Sequence, residues 1–310
     1  MKPQGSLNSS ATYAATVVQD RRPVNAGAAS LMVLFCLALG LQQVAIKGVA
    51  EEISPLSQIA LRSAIAAMVV LGFAYAKRLR ARDVRAHWRP GVLVGLGFTG
   101  EFLFLAWGLE YTLASHMSVF LYTAPIFAAL GLHHFVPDEQ LAWRQWGGVG
   151  LAFAGMAVAM TPGPASASKE ILLGDALGLL AGLCWAATTL VIRTSSLSRA
   201  PAELTLGFQL SVTALILLPA ALLTGELLAA RFTPLTLMSL GFQALIISFA
   251  ALLLWFSLLR RFRASQLGVF SLLAPLFGVL FGTLLLGEPL GIAFMVGCGF
   301  ILLGLVLVMR

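Results

Sequence analysis

From residue 27 onward the chain is a succession of apolar runs of about twenty residues, separated by short polar or glycine- and proline-bearing connections. Wound as a helix at about 1.5 Å per residue, such a run is about 30 Å long and matches the hydrocarbon thickness of a bilayer. Ten spanning helices are predicted, at about 27–46, 55–76, 90–110, 113–134, 143–161, 172–193, 202–223, 236–259, 264–286 and 290–309. The connections are short, so successive helices must be antiparallel neighbours. The expected fold class is an all-α polytopic membrane protein with ten transmembrane helices.

Composition sharpens this. The chain is 59% hydrophobic and 11% charged, against about 25% charged in a soluble domain, so it lacks the polar surface to cover a globule. The net charge of +7 does not point to nucleic acid, because the basic residues lie mostly in connections, where they act as topology determinants. Lys2, Arg21, Arg22, Lys77, Arg78, Arg80, Arg82, Arg85, Arg89, Arg144, Arg193, Arg199, Arg260, Arg261, Arg263 and Arg310 fall on one side of the predicted topology. Only Lys47, Lys169 and Arg231 fall on the other. This bias predicts that both termini are cytoplasmic. Residues 1–26 are polar, lack a signal-peptide core and read as a flexible cytoplasmic tail. Cys36, Cys184 and Cys298 fall in predicted spans without metal-ligand spacing and read as small buried hydrophobes.

The two halves repeat. "VFLYTAPIFAALGLHHFVPDEQL" (119–141) aligns with "VFSLLAPLFGVLFGTLLLGEPL" (269–290). Val119, Phe120, Ala124, Pro125 and Phe127 match Val269, Phe270, Ala274, Pro275 and Phe277, and Glu139 follows Glu288 after a one-residue gap. Ile46 and Lys47 correspond to Ile192 and Arg193. Residues 27–161 and 172–310 thus read as two five-helix repeats. An odd number of spans turns the second copy upside down, giving an inverted 5+5 repeat able to open a central cavity to alternate sides.

"QQVAIK", "SPLSQIALR" and "LEYTLASHMSVFLYTAPIFAALGLHHFVPDE", echoed by "LLRRFRASQLGVFSLLAPLFGVLFGTLLLGEPL", resemble the drug/metabolite transporter superfamily in its ten-helix EamA-type branch. One departure is Leu39-Gly40 where members often carry Trp-Gly; the aligned place in the second half holds Trp185. The resemblance implies a basket around a cavity lined by helices 1–4 and 6–9, with helices 5 and 10 peripheral. It also implies a monomer in the bacterial inner membrane, and export of amino acids, aromatic ones included, or of other small metabolites.

The residues that bear on chemistry are few. Glu101 lies about nine residues into the third span, or roughly 13 Å deep, where a charge costs about 2.5–3.5 kcal/mol on insertion scales and needs a cavity or a partner. Arg62, about seven residues into the second span, is its candidate partner. The repeat puts Phe208 and Ala251 in their places, so the architecture does not need the charges, and a substrate or proton site is favoured over a structural ion pair. Gln42, Gln43, Tyr122, Trp185, Thr189, Gln209, Gln243 and Trp255 complete the candidate substrate-binding set. Thr188, Tyr111 and Ser248 are weaker candidates. His116 is expected near the water interface as a hydrated imidazole, with a proton relay as the lesser alternative, and His133 and His134 with Asp138 and Glu139 as a solvated turn. Pro125 and Pro275, at equivalent places in the repeat, read as paired hinges. Gly147, Gly150, Gly155, Gly297 and Gly304 are expected to let helices five and ten pack closely.

These features predict a secondary transporter, acting by alternating access, for small amphipathic metabolites, foremost amino acids. One deep cation and one deep anion suit a zwitterion better than a polyanion. The alternatives are a multidrug or other metabolite carrier of the same fold, a channel, or a membrane-embedded enzyme. The sequence has no His-Glu-x-x-His, Gly-x-Ser-x-Gly or Walker-type pattern, so no enzyme, metal or cofactor is expected. The partners expected are a small-molecule substrate and lipid, with protons as a candidate coupling ion.

Overall fold

The computed structural model describes residues 25–78, 81–135, 140–159, 169–262, 270–271 and 273–309. The tail over 1–24, Arg80, Asp138, Glu139, Met160, Arg263, Val269 and Arg310 lie outside the described residues.

All regular elements among the described residues are helical: α1 (Ala26–Lys47), α2 (Pro55–Ala76), the short α3 (Ala81–Ala86), α4 (Trp88–Tyr111), α5 (Ala114–Leu121), α6 (Ala124–Phe135), α7 (Trp143–Ala159), α8 (Lys169–Thr194), α9 (Ala202–Leu223), α10 (Pro234–Gly241), α11 (Leu252–Arg261), α12 (Leu273–Leu286) and α13 (Ile292–Met309), with a short 3-10 turn at Ser196–Arg199. Caps account for several starts: Asn25 accepts from Ala28 N, Ser54 from Ser57 N and Thr233 from Thr236 N, and Pro55 and Pro234 open their helices, where a missing N–H costs nothing.

Seven segments are long and apolar enough to cross a membrane: α1, α2, α4, α5–α6 together, α8, α9 and Pro234–Trp255. The helices Leu273–Leu286 and Ile292–Val308 are apolar but shorter. Outward faces carry Leu34, Met68, Leu215 and Leu284, side chains that suit lipid and would aggregate in water.

Three details depart from unbroken spans. The 77–89 connection contains α3. The predicted span 113–134 is interrupted at Tyr122–Thr123, just before Pro125, where Thr123 Oγ1 donates to Phe120 O at 2.6 Å. Between α10 and α11, residues Phe242–Ala251 form a π-helix, a wider coil whose occurrences concentrate at functional sites.

The helices pack as a bundle with a peripheral pair. α4 lies along α8 and α9, α2 along α9 and the π segment, α1 along α12, and α5 and α6 along α8. α7 and α13 pack on each other, joined through Val119, Phe120, Ile126, Met156 and Ile301 to the α5–α6 side. Glycines set the close approaches. A Cβ on Gly155 would stand 2.7 Å from Gly297 O and Ile301 N, and one on Gly297 2.6 Å from Gly155 O; Gly148 and Gly304 face each other likewise. Gly147 and Gly150 have nothing within 4 Å, which corrects their expected role: they face away from the contact.

This pattern gives a paired prediction. Gly155→Val drives a branched side chain into backbone that cannot yield and should destabilise the fold by about 1–3 kcal/mol. Gly150→Val should change it by less than about 0.5 kcal/mol, as for a surface site. Thermal unfolding in detergent checks both, and equal effects would discard the glycine contact as a stability determinant.

Candidate functional site

Two full charges lie deep in the spans. Arg62 on α2 is 1% exposed and Glu101 on α4 is 6% exposed. The Arg62 guanidinium sits over the Phe102 ring, 4.1 Å from its centroid, a cation–π placement strengthened by the absence of water. Its Nε and Nη1 have no hydrogen-bond partner. Glu101 is the opposite charge that bears on it, yet among the described residues no carboxylate stands within 4.0 Å of Arg62. The closed structural ion pair is therefore not formed.

That arrangement is costly in a protein at rest. A buried donor without an acceptor loses about 1–3 kcal/mol, more when charged. A guanidinium with free N–H groups is able to donate to the oxygens of an anion such as a carboxylate.

Glu101 also bears electrostatically on Tyr122, at the end of α5, and on Cys184, in the middle of α8. There Tyr122 meets Trp185 edge to face, with centroids 5.3 Å apart and planes at 85°. Trp185 packs against both large apolar clusters of the bundle. The fold thus brings together a guanidinium, a carboxylate and an aromatic pair from four helices. Gln43 Oε1, Ser63 Oγ and Thr188 Oγ1, on three of the helices of the same bundle, are also buried without partners. Buried polar atoms are normally satisfied, so each of these atoms has hydrogen-bonding capacity left over.

The remaining candidates separate. Gln42 and Gln209 are buried on α1 and α9, and Ser248 in the π segment. Gln243 is mostly committed to structure: its Nε2 donates to Gln58 Oε1 at 2.8 Å and Ser239 Oγ at 3.1 Å, while Gln58 Nε2 donates to Ile46 O and Ile53 O at 2.9 Å. Only its Oε1 is left over. Thr189 donates within its own helix to Trp185 O at 3.1 Å. Trp255 stacks on Phe35 at 5.5 Å and 11°, closing the aromatic cluster toward the basic end of the bundle. Tyr111 is exposed. Cys36 is buried, but Cys184 and Cys298 are only partly so; all three are free thiols. His133 accepts from Leu141 N at 2.9 Å.

His116 corrects its expectation outright. It is 4% exposed, its Nδ1 lies 3.0 Å from Asp175 Oδ2, and it stacks on Phe294 at 3.9 Å and 7°. Sequence reasoning passed over Asp175, although a lone aspartate near the start of an apolar run is the same signal that singled out Glu101. It also missed Phe102 and the Thr99–Thr213 hydroxyl contact at 3.0 Å between α4 and α9; neither residue type stands out in an apolar sequence. Among the described residues no group of three or more His, Cys, Asp or Glu could hold a metal ion.

The family model of the EamA-like transporters matches this chain twice, over residues 26–161 and 172–310. An uncharacterized transporter of Archaeoglobus fulgidus is 27% identical over 241 residues, covering 77% of this chain and 82% of the relative. A probable amino-acid metabolite efflux pump of Escherichia coli is 27% identical over 289 residues, covering 89% and 92%. A crystal structure of a protein superposes with a TM-score of 0.60 over 90% of this chain and 96% of that one, at 20% identity, a likeness of fold alone.

Proposed function

This chain belongs to the EamA-like transporter family, a family of membrane transporters, and from that premise we propose that it is a secondary carrier, exporting small amphipathic metabolites with amino acids foremost. The single observation that carries the substrate class is the buried Arg62 guanidinium, unpartnered at Nε and Nη1 beside Glu101. In this reading Arg62 takes the substrate carboxylate, Glu101 faces its ammonium, and Tyr122 and Trp185 receive its side chain. Gln42, Gln43, Thr189, Gln209, Gln243 and Trp255 border the path. Relatives described as probable amino-acid metabolite efflux pumps support the same class.

The reading takes ten spans in two inverted five-helix repeats, 27–161 and 172–310, that exchange access to the site from opposite sides. The double match of the family model supports two units. Pro125 and Pro275 act as paired hinges, and the basic connections lie in the cytoplasm with both termini.

Counterflow in proteoliposomes tests the carrier. A panel of amino acids should show saturable uptake accelerated by substrate preloaded inside; flux that neither saturates nor responds to preloading would make the protein a channel. For orientation, Asp83→Cys and Leu228→Cys should react with an impermeant reagent from opposite faces. Reaction from the same face would remove the ten-span topology.

A further inference from the structure

The turn that joins α4 to α5 is held by charged side chains from three separate elements. Lys47, the last residue of α1, donates to Leu109 O at 2.9 Å and to Thr112 O, the carbonyl end of α4. Glu288, between α12 and α13, accepts from Ala114 N at 2.6 Å and Ser115 N at 2.9 Å, the amide end of α5. Asp175 of α8 accepts from Thr112 Oγ1 at 2.5 Å and lies 3.0 and 3.1 Å from His116 Nδ1. The lysine meets the negative helix end and the glutamate the positive one, as helix dipoles favour. The turn is thereby seated against α1, α8 and the α12–α13 connection, at the end of the bundle opposite the basic loops.

The charges at this turn do not balance by themselves. Glu288 is 5% exposed and Asp175 1% exposed, and among the described residues Lys47 is the one full cation that hydrogen-bonds the turn. Two carboxylates against one ammonium leave a net negative charge, in a region where an uncompensated charge costs several kcal/mol. The other titratable groups nearby do not supply the difference. Cys298 of α13 feels Asp175 but is a thiol. Glu110 and Tyr111 on α4, and Lys169 and Glu170 in the first turn of α8, are exposed to the surroundings. His116 is the remaining group. A proton on its imidazole makes the cluster neutral, with Nδ1–H donated to Asp175 and Nε2 left to take the proton.

We propose that His116 and Asp175 form a proton-binding site, separate from the Arg62–Glu101 site, and that proton uptake there stabilises the closed state of this end. Opening would bring water to Asp175 and Glu288 and remove the need for the proton, so proton binding and closure are linked. The sequence repeat favours this over a packing requirement: Gln266 stands where His116 stands in the first half, and Ala29 stands where Asp175 stands in the second, so the symmetry-related place carries no such pair.

The test needs no substrate and so stands or falls apart from the carrier reading. In the full chain with its three cysteines changed to serine, a Gln43→Cys reporter sits one turn below Lys47, buried while the turn is seated. It is labelled with an impermeant maleimide from the face opposite the basic loops, in proteoliposomes. Rates are divided by those of an exposed Leu228→Cys reporter, which cancels the pH dependence of the thiol reaction. Between about pH 8 and about pH 6 the ratio should fall at least about threefold, a single linked proton allowing at most about tenfold per unit. Adding His116→Gln, or separately Asp175→Asn, should make the ratio independent of pH, since the first removes the imidazole that takes the proton and the second removes the carboxylate whose charge calls for it. A ratio already flat with His116 and Asp175 intact overturns the proposal whatever the variants do. So does an undiminished fall in either variant.

Discussion

Arg62→Met will weaken binding of carboxylate-bearing substrates by about tenfold to a hundredfold while leaving the fold at least as stable. A hydrogen bond to a charged group contributes about 1.5–3 kcal/mol, which is that factor in affinity at about 1.4 kcal/mol per decade. The stability side follows from the orphaned guanidinium. Breaking a closed buried ion pair would cost about 3–5 kcal/mol, but Arg62 has no carboxylate within 4.0 Å among the described residues to leave behind. Methionine also keeps the packing against Phe102. Glu101→Gln should act on the other end of the ligand. Affinity for an amino acid should drop, while affinity for the same molecule without its amino group should hold. If Glu101 instead carries a proton, the glutamine variant will lose dependence on a pH gradient and keep gradient-independent exchange. Binding titrations with an amino acid, its deaminated acid and its amide, together with melting curves, separate these outcomes. An Arg62→Met, Glu101→Leu double variant that melts and transports as the parent does would reduce both residues to structure.

The second large effect is expected on rate. Pro125→Ala and Pro275→Ala should each slow turnover about tenfold, an increase of about 1.4 kcal/mol in the barrier to interconversion, with substrate affinity changed less than about twofold. The interruption at Tyr122–Thr123 lies immediately before Pro125, and Pro275 is the third residue of α12. Alanine restores an N–H at both places, and at Pro125 it also removes the ring clash beside the interruption, so the helix there would run through and stiffen. Rapid-mixing exchange against equilibrium binding distinguishes the two parameters. Unchanged turnover in both variants would leave the prolines as tolerated breaks.

What the sequence determined by itself is the part governed by local physics. In a bilayer each backbone polar group must be satisfied within its own segment, so a run of apolar residues long enough to cross is a helix almost wherever it occurs. Composition, the helical runs and the transporter family were therefore legible, and so was the oddity of Glu101 and Arg62, because a mid-span charge is expensive in any surroundings. Tertiary structure decided the rest. Which face a glycine presents made Gly155 a contact and left Gly150 open, although both lie on one helix. Convergence of α4, α5, α8 and α13 turned His116 from an interface histidine into a buried partner of Asp175 and Phe294. The way α2 meets α4 set the Arg62 guanidinium over the Phe102 ring and left it unpaired beside the Glu101 carboxylate. Each of these depends on where side chains distant in the chain meet, to within a few ångströms. The apolar pattern constrains that loosely, because lipid and helix interiors reward the same residues and leave no hydrophobic contrast to fix which face turns inward.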